Sequence, residues 1–263
     1  MLTLAFDTAT PWGRFALADG GKLLQYRPLN VMGSYADALL KVVQEILADN
    51  DRSRLDLGSI GVTVGPGSFT GLRIGVATAK GLAYGLDVPL VGVGTLEAMA
   101  ASLLEDHPGV DFAVPCLDAR RQQVFSAVYR RKGHWVEEVA SPEPLLADHW
   151  WQKILKILSD PEEAVYGGDG TALLLGQGDD LRPELAGTGT PRLRRWTASH
   201  PPTARTLACA MGQAPEQLPT THPFLLVPKY LRRSDAELNK NLDLTPRQPS
   251  EDVSFHSSRR PSS

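Results

Sequence analysis

Apolar and polar positions change period in a regular order along the first half of the chain. From Leu4 to Tyr26 (LAFDTATPWGRFALADGGKLLQY) they alternate and turn at Asp19-Gly20-Gly21, which predicts three strands joined as hairpins. From Tyr35 to Asp49 (YADALLKVVQEILAD) apolar residues recur every three to four positions and predict a helix. A short strand then ends in glycines (VTVGPGSF), a second helical segment runs from Leu72 to Leu86, and PLVGVGT adds a further strand.

The second half repeats this order. Asp7 and Asp118 each end an apolar strand, and Ala16 and Ala127 each follow nine residues later within a second strand. Glycine turns at Gly21 and Gly133 lead to third strands, and the segment from Leu145 to Leu158 (LLADHWWQKILKIL) stands where the first helix stood. AVYGGDGTA then matches the glycine-ended strand of the first half. Strands alternating with helices imply α/β layering, and the three-strand start implies mixed sheets. The expected organisation is a domain over 1–104 and a second over 105–233, divided near the polar stretch EDHPGVD. Residues 176–202 read as long loops. Residues 234–263, rich in Ser, Pro and Arg, read as a disordered tail.

Composition narrows the class. The chain has 263 residues, 42% hydrophobic and 22% charged, enough for a sizeable core. A formal net charge of −3 argues against bulk binding to a phosphate backbone. Cys116 and Cys209 lie far apart in apolar surroundings and read as reduced core thiols. The N-terminus lacks the apolar run of a secretion signal, and no segment approaches the ~20 apolar residues of a membrane span. A cytoplasmic location is expected.

Two duplicated halves of this strand order look like the actin, sugar-kinase and Hsp70 architecture, in which nucleotide phosphates sit between two hairpins. On that reading Asp7, Thr8 and Asp118 stand at strand ends near a phosphate, and Gly167 and Gly168 offer backbone N–H groups to it. The plainer alternative is that these residues only end strands and make turns. The stretch GPGSFTGLR meets neither the P-loop spacing nor G-x-G-x-x-G. Ser68 or Thr70 reads as a helix N-cap after a tight Pro66-Gly67 entry. All six histidines follow residue 106 and no two are four apart, so no helical metal pair is present in the sequence. No nucleophile elbow or complete catalytic set is found.

The two helices of the first half carry more apolar surface than one core requires. Leu39, Leu40, Val42, Val43, Ile46 and Leu47 cover about 160° of arc, against the roughly 100° stripe that facing one core requires. On the second helix Arg73, Lys80 and Tyr84 form one polar stripe with Ala77, while Ile74, Gly75, Val76, Ala79, Gly81, Leu82, Ala83 and Gly85 occupy the rest. Each glycine within a helix costs about 1 kcal/mol relative to alanine, so close approach by another element is the expected offset. Packing within the chain's own domain is the alternative for each helix. An exposed apolar patch usually marks a partner site.

LAFDTAT, GPGSFTGLRIGVATAKGLA (Gly65 to Ala83), VGVGTLEAMA, LDARRQQVFSAVY and PKYLRRSDAE occur in an order that closely resembles the TsaB (YeaZ) family of tRNA threonylcarbamoyladenosine biosynthesis. The resemblance implies a duplicated actin-like, ribonuclease H-like fold. It implies a non-catalytic relative of TsaD, the metal-carrying threonylcarbamoyltransferase that acts beside the anticodon. It also implies pairing with TsaD, or with a second copy, through the first two helices, with the ATPase TsaE joining and tRNA engaged through the complex. The interface expected from it comprises Leu39, Val42, Val43, Ile46, Arg73, Gly75, Val76, Ala79, Lys80, Leu82 and Ala83, with Gly75 and Ala79 replaceable by bulky residues at the cost of the complex but not of the fold. No cofactor of its own and no metal are implied, with ATP or ADP held weakly or shared where subunits meet. The chain departs from the family pattern near Tyr35, where many members have histidine, and at Lys229, where an apolar residue is usual.

Two other readings stay open at this stage. One is an enzyme in its own right, a phosphotransferase or a peptidase. The other is direct tRNA binding through Arg73, Lys80, Arg120, Arg121, Arg130 and Arg131.

Overall fold

A computed structural model describes residues 1–10, 13–28, 35–158, 163–174, 192–196 and 201–232. The element order is β1 (Leu2–Asp7), β2 (Arg14–Asp19), β3 (Lys22–Pro28), α1 (Tyr35–Ala48), β4 (Leu57–Thr63), α2 (Phe69–Leu86), β5 (Leu90–Val93) and α3 (Thr95–Glu105). There follow β6 (Phe112–Asp118), β7 (Gln123–Lys132), β8 (Trp135–Leu146), α4 (Ala147–Ile157), β9 (Glu163–Gly167), α5 (Thr171–Leu174), β10 (Arg192–Arg195) and α6 (Thr203–Gln213).

The strands form two five-stranded sheets, ordered β3-β2-β1-β4-β5 and β8-β7-β6-β9-β10. In both, the first three strands are antiparallel and the last three parallel, so the internal duplication is present in the topology. The strand β10 lies within the stretch that reads as loop in the sequence, because its alternating Arg-Leu-Arg-Arg carries only one large apolar side chain. The proposed tail, 234–263, lies outside the described residues.

Strand alternation decides what covers each sheet face. In the first sheet Leu2, Leu4, Phe6, Phe15 and Leu17 point toward α1 and α2, where they meet Leu39, Val43, Ile46, Val76 and Ala79. The opposite face carries the small residues Ala5, Ala16 and Ala18 at its centre, with Val91 and Val93 of β5 beside them, and receives Ala204, Leu207, Ala208 and Met211 of α6. A Cβ on Gly61 would lie 2.5 Å from the Met211 sulfur, which measures how closely α6 lies. In the second sheet Val114, Cys116, Val124, Val128 and Tyr166 face Trp150 and Ile154 of α4, while Leu117, Phe125 and Tyr129 face α3.

The two middle helices are therefore exchanged. α3, encoded with the first sheet, packs on the second, and α6, encoded after the second, packs on the first. They meet through a bond from Ser102 Oγ to Thr206 Oγ1 at 3.0 Å, and Thr206 Oγ1 donates to Glu105 at 2.7 Å. Strands β1 to β5 form one sheet and β6 to β10 the other, and α6 with the segment after it returns to the first sheet. The order of layers is α1/α2, sheet, α3/α6, sheet, α4.

Candidate functional site

β1 and β6 end in equivalent carboxylates that the fold treats differently. Each accepts a bond from the backbone N–H two residues on: Ala9 N to Asp7 at 2.8 Å, and Arg120 N to Asp118 at 2.7 Å. Asp7 is then sealed. It is 2% exposed and also accepts from Thr63 Oγ1 at 2.7 Å and from Thr203 Oγ1, at the start of α6, at 2.5 Å. Asp118 stays half-buried, with Arg120 Nη1 at 3.3 Å, and its backbone N–H donates to Asp169 at 2.9 Å.

Asp118 opens onto a cleft of about 430 Å³ between the two halves. One wall is residues 9–10 and 66–69, the other is residues 117–120 with Phe125 and Asp169, and residues 229–232 form the roof. Of the five residues expected to meet a phosphate, only Asp118 lines this cleft. Asp7 borders a small neighbouring pocket with Arg14, Asp169 and Thr203. Thr8 turns toward α2, where its hydroxyl would lie 2.0 Å from a Cβ on Gly75. Gly167 packs beneath Leu103 and Trp196, and Gly168 against the carbonyl of Cys116. These glycines serve close packing and do not face the cleft.

The roof belongs to a strap, residues 222–232, that runs antiparallel along α2. Tyr84 meets Phe224 with ring centroids 5.1 Å apart, Lys80 Nζ donates to the Leu226 carbonyl at 3.1 Å, and Arg73 Nε donates to the Tyr230 hydroxyl at 3.2 Å. The Tyr230 ring stacks on Phe69 at 4.6 Å, and the Arg73 guanidinium lies 3.9 Å over the same Phe69 ring. Eleven helical residues rise about 16 Å and six residues reach at most about 20 Å when extended, so six strap residues are enough to span the run. Gly65, at φ +122°, makes room for the strap, since a Cβ there would lie 2.3 Å from the Lys229 carbonyl. At its far end Arg232 Nη1 donates to Gln123 Oε1 of the second half at 3.3 Å. The polar stripe Arg73, Lys80 and Tyr84 thus holds the chain's own strap, for which the sequence offers no local signal because the partners lie some 140 to 157 residues away.

Burial also corrects the expected partner interface. Leu39, Val43, Ile46, Gly75, Val76, Ala79 and Ala83 are buried in the first half's own core. Val42, Lys80 and Leu82 are half-buried, and Arg73 is exposed. A bulky residue at Gly75 would collide with Thr8, so it would not leave the fold intact. What α1 and α2 present outward is a different set: Leu40 (49% exposed), Ala77, Gly81, Tyr84 (65%) and Gly85. Gly81 and Gly85 have open space where a Cβ would point. Their spacing of four from Ala77 is the sequence signal that finds this face.

Two of the residues considered for RNA are engaged by the fold itself. Arg131 donates to the carbonyls of Leu104, His107 and Val110 at 2.8–2.9 Å, closing the end of α3, and Arg130 pairs with Glu137. Burial pushes the Cys116 thiol far above its ordinary range, and burial together with the Glu105 charge raises Cys209, so neither is an activated thiolate. Burial likewise raises the Tyr26 phenol against the opposing pull of Arg14, whose Nη1 donates to it at 3.0 Å. Among the described residues no group of three His, Cys, Asp or Glu side chains converges to hold a metal ion, and no helix is long and apolar enough to cross a membrane.

Residues 27–240 match the family model described as TsaD: tRNA N6-adenosine threonylcarbamoyltransferase. The chain is 31% identical over 239 residues to the tRNA threonylcarbamoyladenosine biosynthesis protein TsaB of Bacillus subtilis, covering 90% of this chain and 96% of that one. YeaZ from Pseudomonas aeruginosa superposes with a TM-score of 0.65 at 23% identity, over 88% of this chain and 99% of that one. A ROK family protein from Streptococcus pneumoniae superposes with a TM-score of 0.51 at 13% identity, over 82% and 100% of the two chains, which shows the actin-like fold alone. The chain belongs to the TsaB family of tRNA threonylcarbamoyladenosine biosynthesis proteins, within the broader family that the TsaD model describes.

Proposed function

We propose that this TsaB-family chain is a non-catalytic subunit that binds and activates TsaD as threonylcarbamoyladenosine is formed beside the tRNA anticodon. The observation that carries the reading is the outward face of α2, where Ala77, Gly81 and Gly85 leave the backbone open to a second helix. Glycines there weaken an isolated helix by about 1 kcal/mol each, and the closest helix–helix approach, near 8 Å between axes, offsets that cost. Leu40 and Tyr84 flank the stripe and supply apolar area to such a contact. TsaE joins the pair, tRNA is engaged through the assembly, and a second copy of the chain can take TsaD's place on α2. The chain has no cofactor of its own, and ATP or ADP is held where subunits meet.

One observation favours a second reading: the matching family model is that of the transferase itself. Reconstitution separates the two. Purified TsaD, TsaE, threonylcarbamoyl-adenylate and substrate tRNA are combined with and without this chain, and modified adenosine is counted. The expected result is modification that requires both TsaD and this chain. Modification by this chain without TsaD makes it an enzyme, and equal modification without it removes it from the reaction.

A further inference from the structure

The end of α2 carries a charge that works against the helix. Asp87 caps its eighteen residues in the left-handed conformation, at φ 56° and ψ 44°. Glycine or asparagine usually takes that place, and a carboxylate there meets the negative end of the helix dipole. No basic residue stands in the last turn, and Asp87 has no ion pair among the described residues. Asparagine would keep the backbone and remove the repulsion. An uncompensated aspartate is therefore a local conflict, of the kind that marks a contact made outside the chain.

Asp87 borders an open groove of about 850 Å³. One side is residues 83–90, the end of α2 and the start of β5, and the other is residues 220–223. The two sides are tied by the bond from Thr221 N to the Leu90 carbonyl at 2.8 Å. Among the described residues that line the groove Asp87 is the one carboxylate, and there is no lysine or arginine. Three rings lie at its edge, with Tyr84 5.1 Å from Phe224 and Phe224 5.5 Å from His222. His222 Nδ1 accepts the Phe224 N–H at 3.3 Å, which holds these two rings together. Phe224 is 52% exposed and Leu225 beside it is also exposed, so an apolar patch adjoins the carboxylate. Tyr84 and Gly85 belong both to this groove and to the outward face of α2, so the two surfaces are continuous.

We infer that this groove receives an arginine side chain of the protein that packs on α2, its guanidinium paired with Asp87 and stacked on the Tyr84 and Phe224 rings. The surface selects that side chain by charge and by shape. A planar guanidinium meets a carboxylate with paired N–H donors and lies flat on an aromatic face, whereas lysine brings a compact, strongly hydrated charge. The same cation offsets the helix dipole that Asp87 opposes. This contact presupposes the proposed reading of α2 as a partner face and adds to it. The open glycines allow close approach along the helix, and the groove fixes where along the helix the partner stops.

The test compares the full chain with Asp87→Asn, which retains a residue that tolerates the left-handed backbone. Calorimetric binding to TsaD is expected to weaken at least about tenfold and to lose part of its salt dependence. The urea midpoint is expected to hold or rise, since the carboxylate no longer opposes the dipole. Phe224→Leu, which removes a ring and keeps apolar bulk, is expected to weaken binding at least about threefold. Asp51→Asn, at a left-handed position after α1, is expected to change nothing. A second arm needs no TsaD. The peptide acetyl-Gly-Arg-Gly-amide and its neutral citrulline counterpart are titrated into the chain while the Tyr84 and Phe224 ring signals are followed by NMR. The arginine peptide is expected to shift them, the citrulline peptide is not, and Asp87→Asn is expected to answer neither. If TsaD binds the wild-type chain and Asp87→Asn equally, the arginine contact is ruled out and the proposed function stands. If TsaD does not bind the wild-type chain, the proposed function falls and the peptides alone decide. Equal responses to the two peptides, or none up to about 10 mM, overturn the arginine site.

Discussion

The inner and outer faces of α2 are built from the same small residues for opposite reasons. Inward, Gly71, Gly75, Ala79 and Ala83 recur every four positions, and a Cβ on either glycine would lie 2.0 Å from Thr8. Outward, Ala77, Gly81 and Gly85 recur at the same spacing, and a Cβ on either glycine would meet nothing within 4 Å. On one face the end of β1 already occupies the space. On the other the space is free, and glycine there brings no benefit to the isolated chain. Composition is therefore a poor guide to which face takes a partner, and steric room is a good one.

That contrast can be broken by substitution. The largest effect is expected for Gly75→Leu, which drives four carbons into Thr8 and should cost about 3 kcal/mol, read as a lowered urea midpoint. An unchanged midpoint would mean that the inner face has slack. Next comes Gly81→Trp on the outer face, which should leave stability within about 0.5 kcal/mol yet weaken co-elution with TsaD at least about tenfold. Intact co-elution would show that the partner sits elsewhere. The smallest effect sharpens the comparison: Gly81→Ala should raise stability by up to about 1 kcal/mol, because the methyl meets no neighbour and the helix gains propensity. A loss of stability there would contradict the open geometry.

Much of the fold was legible because it rests on local patterns. Alternation marks β1 to β3, the periodicity of residues 35–49 marks α1, and Ser68 caps α2, with its Oγ accepting from Gly71 N at 3.2 Å. The side of α2 that faces inward was not legible. Gly75 and Gly81 are alike in hydropathy, and what separates them is Thr8, 67 residues before Gly75 in the chain. The cleft was half legible for the same reason. Asp118 could be placed by its strand end, whereas Lys229, Tyr230 and Arg232 reach the site through the strap's pairing with α2, a contact that periodicity does not encode. Gly167 and Gly168 read as a phosphate loop but are small because Trp196 and the Cys116 carbonyl press against them.

The exchange of α3 and α6 also sets the order in which the protein can assemble as it leaves the ribosome. The first sheet is complete in sequence at Val93, yet the helix that covers its second face begins only at Thr203. Asp7 waits 196 residues for the hydroxyl that closes its shell. The face that must wait carries Ala5, Ala16, Ala18 and Gly61 with Val91 and Val93 at the β5 edge, whereas the face met early by α1 and α2 carries the larger Leu4, Phe6, Phe15 and Leu17. A half-made chain can therefore hide the face with its largest apolar side chains at once and leave the less apolar one wet, which is the safer division for an intermediate prone to aggregate. The two sheets then become one cooperative unit only when the last helix is threaded between them.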